Sequence, residues 1–119
     1  MQRELKILVS AYACGPGMGS EPGMGWNFAI GLSKYHKVHV ISEEKKFKAA
    51  VLSYLKANPD KNKNLTFYFI RKSRHKFLRK IWPPSYYWYY RKWQKKALAM
   101  AVKLDNLENF DLIHQLNMV

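Results

Sequence analysis

The chain predicts an α/β fold: a Rossmann-like parallel sheet of about four strands in the order 3-2-1-4, flanked by helices. Three observations carry that expectation. Short apolar stretches rich in Ile, Val and Phe alternate with longer segments of helical character, the pattern of βαβ units joined by right-handed crossovers. The first apolar stretch ends in a glycine-rich loop that opens a helix. At 119 residues and 48% hydrophobic content, the chain has material for the core of one domain or part of one.

The elements follow in order. Leu5 to Ala13 reads as a buried strand, an apolar run with Ile and Val. Gly23 to His36 reads as a helix with Trp26, Phe28, Ala29, Ile30 and Leu32 on roughly one face. Val38 to Ile41 is a second short strand, closed by Ser42-Glu43-Glu44. Lys45 to Ala57 is a second helix, with Phe47, Val51, Leu52, Tyr54 and Leu55 on its apolar side. Asn58-Pro59 stops it, because proline disfavours helix at the preceding residue. Leu65 to Ile70 is a third, strongly β-prone strand. A basic, aromatic connection, Arg71 to Pro84, leads to a long helix from about Ser85 to Leu107. Its Tyr86, Tyr90, Trp93, Ala97, Met100, Leu104 and Leu107 recur at alternating intervals of four and three, one continuous core-facing stripe. Phe110 to Leu116 is the fourth strand. A chain that stops on a strand, with no covering helix behind it, reads as the N-terminal fragment of a larger protein.

Five of the six glycines lie in the loop after the first strand: Gly15, Gly17, Gly19, Gly23 and Gly25. A strand that ends in glycines and opens a helix exposes unpaired amides and the positive end of a helix dipole, a geometry suited to phosphate. Gly15-Pro16-Gly17-Met18-Gly19-Ser20 comes near a dinucleotide fingerprint, and Glu43 or Glu44 after the second strand would stand for its ribose-binding acid. Against this, Pro16 deletes an amide, and the loop is longer than the tight dinucleotide turn. Glycines that merely permit the turn are the plainest alternative. There is no Gly-Lys-Ser/Thr, hence no Walker A loop.

Lys6-Ile7-Leu8-Val9-Ser10, Ala13-Cys14 and Gly19-Ser20-Glu21-Pro22-Gly23-Met24-Gly25-Trp26 together resemble the N-terminus of family-4 glycosyltransferases, retaining enzymes of the GT-B class. Phe110-Asp111-Leu112-Ile113-His114 resembles the Asp-apolar-apolar-His strand later in the same domain. The two matches stand in the right order and frame nearly the whole chain. The resemblance implies two Rossmann-like domains facing across a cleft, of which residues 1–119 are a truncated, acceptor-side first domain and the donor-binding C-terminal domain is absent. The implied activity is transfer of a sugar from a nucleotide-sugar donor to a polysaccharide or lipid-linked acceptor, with no cofactor and no metal. The fragment alone is expected to be inactive.

Under that reading Gly17, Gly19 and Gly23 approach the donor phosphates, where backbone amides offset the charge that develops on the leaving group. Glu21 beside the helix start is either an acceptor-hydroxyl contact or a partner of the helix dipole. His114 is expected at the carboxyl end of its strand, where open α/β sheets place their sites, and is the candidate catalytic residue; a core histidine is the alternative. Some family members carry a second histidine two residues further on, where this chain has Leu116. His36 and His39 flank a strand without evident partners and read as structural. No His/Asp/Glu spacing points to a metal, and the single cysteine, Cys14, allows no disulfide framework and fits a reducing compartment.

The charge is segregated. No acidic residue lies between Asp60 and Asp105, a window holding thirteen of the 21 basic residues; the other eight balance the eight acidic ones, so the net +13 belongs to the window. Such segregation implies an anionic partner. Arg79, Lys80, Trp82, Trp88, Arg91 and Lys92 interleave rings with cations, which fits an anionic membrane surface at roughly 1 kcal/mol per basic residue. A solvated basic face and single-stranded nucleic acid are the alternatives. The resemblance favours the membrane, because many family-4 enzymes glycosylate lipid-linked acceptors on the cytoplasmic leaflet. No signal peptide and no bilayer-spanning run are evident, so the expected place is the cytoplasm, peripheral on the inner face of the membrane.

Overall fold

The computed structural model describes residues 4–17, 19–71 and 85–116, with the backbone alone described at 20, 21, 61, 62 and 85–87. Strand β1 (Lys6–Ala11) leads to helix α1 (Ser20–Ser33), β2 (Lys37–Glu43), α2 (Glu44–Ala57), β3 (Leu65–Ile70), α3 (Ser85–Glu108) and β4 (Leu112–Leu116). The sheet order is β3-β2-β1-β4 and every pairing is parallel, as the alternation of apolar stretches and helices predicts. The register sets Lys6 beside Lys37, Val38 beside Leu65 and Ile7 beside Leu112.

Strand alternation divides the core into two layers. Ile7, Val9 and Ala11 face one way with Val38, Val40 and Leu65, and there meet Trp26 and Ala29 of α1 and Val51 and Leu55 of α2. Trp26 is central to this layer, edge-on to Tyr54 at 5.0 Å and stacked on Phe67 at 5.9 Å. On the other face Leu8, Ile41 and Ile70 meet Tyr90, Trp93, Ala97 and Ala101 of α3. Trp93 Nε1 donates to the Ile70 carbonyl at 2.8 Å, tying α3 to the end of β3.

The structure moves some boundaries. Helix α1 starts at Ser20, three residues before the Gly23 expected from sequence, with Gly19 as its N-cap and Pro22 in the first turn, where a missing N–H costs nothing. Strand β2 continues to Glu43, because its last residues remain paired with Phe69 and Ile70 of β3. The α3 stripe is buried at Tyr90, Trp93 and Ala97 and half-buried at Met100 and Leu104, but Leu107 is 71% exposed, since the helix there overhangs the sheet's amino edge. The side chain of Tyr86 lies outside the described residues. Helix α3 ends at Asn109 in the left-handed region (φ 56°), with its N–H donating to the Asp105 carbonyl at 2.8 Å and Asp105 Oδ1 accepting from Phe110 N.

Candidate functional site

The β1–α1 loop stands at the carboxyl edge of the sheet, the end where open α/β sheets place their ligands. Its entry is fixed by Tyr12, whose ring is buried against Phe47, Tyr90 and Trp93. The Tyr12 carbonyl accepts from Glu43 N at 3.1 Å and Ser42 Oγ at 3.2 Å. Its middle closes on the helix, with Gly15 N donating to the Pro22 carbonyl at 3.1 Å. Cys14 is fully buried beneath, and that burial pushes its thiol up to about 12. The thiol is therefore an uncharged packing group with no nucleophilic character at neutral pH.

Two glycines have conformational or steric reasons to be glycine. Gly17 sits at φ +71°, in the left-handed region. A Cβ on Gly25 would lie 2.5 Å from the Ala13 carbonyl oxygen, so the absence of a side chain lets α1 pack directly on the loop. Gly19 differs: its backbone is extended (φ −85°, ψ 174°), and a Cβ there would meet nothing within 4 Å. As the N-cap of α1, Gly19 has no side chain to offer the first helical amides an acceptor. The first two of these, the amides of Ser20 and Glu21, have no intrahelical acceptor, and the open space at Gly19 lies beside them. That is the chemical content of the site: amide donors and a helix dipole at a sterically open approach, suited to an anionic oxygen.

The candidates distribute around this point as follows. Gly17 and Gly19 lie exposed in the loop, whereas Gly23 is half-buried as the fourth residue of α1, within the helical ladder. The backbone of Glu21 is in the first turn of α1; its side chain lies outside the described residues. His114 is the third of five residues in β4, level with Val9, and not at the strand's carboxyl end as the sequence leads one to expect; Leu116, level with Ala11, holds that end. The His114 ring is exposed and tilted against Phe28 of α1 at 5.1 Å.

Glu43 and Glu44 are already occupied. Glu43 is 2% exposed and caps α2, accepting from the backbone N–H of Lys45 and, at 3.1 Å, of Lys46. Glu44 pairs with Lys48 and Arg71, each at 3.4 Å. Sequence reading assigned neither cap nor pairs; the signal for the cap was a carboxylate at the last strand position immediately before a helix. The two histidines that read as partnerless have partners. His36 Nδ1 accepts from Leu5 N at 3.0 Å, and His39 Nδ1 lies 3.1 Å from the Tyr68 hydroxyl.

Of the basic-aromatic set, Trp88, Arg91 and Lys92 are exposed on α3, with Lys92 Nζ 4.3 Å from the centre of the Trp88 ring. Arg79, Lys80 and Trp82 lie outside the described residues. Among the described residues no helix is long and apolar enough to cross a membrane. Comparison of the chain with family models, curated proteins and solved structures gives no match.

Proposed function

We propose that the chain is the first part of the acceptor-side domain of a retaining glycosyltransferase, with the β1–α1 loop held against the phosphates of a nucleotide-sugar donor. The observation that carries this reading is the start of α1, with a glycine as its N-cap, beside the open approach at Gly19 at the carboxyl edge of the parallel sheet. A nucleoside diphosphate gains negative charge as the glycosidic bond breaks, and fixed amide donors offset that charge without reorganising. The Gly-Ser-Glu-Pro-Gly-x-Gly-Trp order supports the same reading, with Gly25 and Trp26 serving to seat the helix and Gly17 and Gly19 left accessible. Gly23 forms part of the helix start, and Glu21 beside it would meet the acceptor.

The dinucleotide alternative needs an acid free to hold a ribose, and Glu43 and Glu44 are committed elsewhere. Titration with NADH against UDP-sugars separates the two classes. The catalytic test uses a protein in which the reading frame continues past Val119 into a second Rossmann-like half. There Gly19→Val keeps the fold, since a side chain at that position enters open space. By filling the approach to the amides it lowers sugar transfer at least about a hundredfold, a loss on the scale of an oxyanion donor put out of reach. Wild-type turnover in that variant, or a reading frame that ends at Val119, overturns the proposal.

The exposed Trp88, Arg91 and Lys92 support a peripheral association with an anionic membrane that delivers a lipid-linked acceptor. Vesicles rich in anionic lipid are expected to bind the chain with salt-sensitive affinity. Replacing Arg79, Lys80, Arg91 and Lys92 by Ser weakens that binding severalfold or more; unchanged sedimentation refutes the membrane role. Tight oligonucleotide binding by the same surface would assign it to nucleic acid instead.

A further inference from the structure

The sheet's amino edge, opposite the glycine loop and roughly 20 Å from it by strand length, carries a second basic feature. Lys6 and Lys37 are the first residues of β1 and β2 and stand side by side in register. Both share a strand face with His39, Thr66 and Tyr68, the face that α3 covers. Lys63 precedes β3, and Glu108 ends α3 over the same corner. Together they line a notch of about 270 Å³. That is just below the usual range of ligand-pocket volumes, room for a phosphate group with a small organic body.

The charges in the notch do not cancel. Lys6 Nζ is committed to Glu108, donating to its carboxylate at 2.9 Å and its carbonyl at 3.1 Å. The same pairing holds the Glu108 carboxyl below the usual carboxylate range, so it stays ionised. Lys37 and Lys63 have no carboxylate partner among the described residues. Two ammonium groups are therefore left over around a notch that also offers the Thr66 hydroxyl and the His39 ring. His39 is held from both sides, stacked on Tyr68 at 5.9 Å and edge-on to Phe110 at 5.1 Å. It is the one titratable ring in the notch, placed to report on what binds there.

We infer that this notch is a binding site for a phosphate dianion, as free phosphate or as the head of a small phosphomonoester, held by Lys37 and Lys63 with Thr66 and His39 beside it. The site is independent of the glycine loop and of the basic face of α3, and it stands whether or not the chain is a glycosyltransferase. A dianion matches the two unneutralised ammonium groups. It also alters His39 in a defined direction. Burial lowers the pKa of that imidazole, Glu108 opposes the shift, and Lys6 and Lys37 add to it. A bound dianion favours the imidazolium, so the pKa of His39 rises on binding.

The test is an NMR titration of the 119-residue chain, following the imidazole signals of the four histidines across pH with inorganic phosphate and, separately, glycerol 3-phosphate. The expected result is saturable binding that raises the pKa of His39. Equal affinity for the two probes assigns the site to free phosphate, and tighter glycerol 3-phosphate assigns it to a phosphomonoester. Lys37→Ser with Lys63→Ser weakens binding at least about tenfold, whereas Lys95→Ser with Lys96→Ser, exposed on α3 away from the notch, leaves it within twofold. Lys63→Glu alone, in the exposed loop before β3, gives the same loss if the double variant fails to fold. Absence of a saturable His39 shift, or equal affinity in the Lys37/Lys63 variants, overturns the inference.

Discussion

Glycine plays opposite parts at two positions of α1, and the difference is a matter of ångströms. At Gly25 an added methyl would stand 2.5 Å from a backbone carbonyl that cannot swing aside. At Gly31 the same methyl would meet nothing within 4 Å. Alanine gains up to about 1 kcal/mol over glycine inside a helix, while overpacking costs about 1–3 kcal/mol. Gly31→Ala is thus expected to stabilise the chain by about 0.5–1 kcal/mol, and Gly25→Ala to destabilise it by about 1–2 kcal/mol. Urea unfolding of the two variants checks both signs. The sequence places both glycines on a helix; only the contact with Ala13 distinguishes them.

The ends of the helices follow chemistry that is partly local. Glu43 ends a strand and, without a break, caps α2 with its carboxylate, accepting from two first-turn amides. Glu43→Ala removes that acceptor, with an expected loss of about 0.5–2 kcal/mol read by denaturant midpoint; Glu43→Gln keeps a carbonyl acceptor and loses less. The stripe along α3 was legible as spacing. Its outcome was not, because burial depends on where the sheet beneath it stops: Ala101 is covered and Leu107 is not. The placement of His114 has the same origin. Asp111 accepts from Lys6 N at 2.9 Å, and this anchor with the pairing of β4 on β1 sets the strand's register, putting the histidine in mid-strand beside Phe28.

For the molecule as a whole, the buried thiol ties stability to pH. Cys14 has an ordinary value of 9.0 and is pushed up to about 12 by burial in the native state. Between those values the unfolded chain releases the thiol proton and the native chain keeps it, so stability is intact below about pH 9 and falls as pH rises. The decline attributable to this group approaches about 1.4 kcal/mol per pH unit. Cys14→Ala is expected to show a shallower alkaline loss than wild type in denaturant titrations from pH 8 to 11. Equal slopes would mean the thiol does not titrate differently in the two states. The same burial predicts that thiol reagents label Cys14 only in denaturant.

The sequence by itself determined the strand count and order, the alternation of elements, the glycine loop between the first strand and its helix, and the segregation of charge. These are properties of near neighbours: periodicity of two or of 3.6, β-branched runs, proline stops and glycine clusters act over a few residues and are written locally. Tertiary structure decided what those residues do. It spent Glu43 and Glu44 on a cap and ion pairs, sank Cys14 beneath the loop, made Gly25 a packing contact and left Gly19 open. It also brought Lys6, Lys37 and Lys63, scattered over nearly sixty residues, around one notch. Strand register and side-chain burial are set by pairing between distant segments, and that pairing has no signature in any one of them.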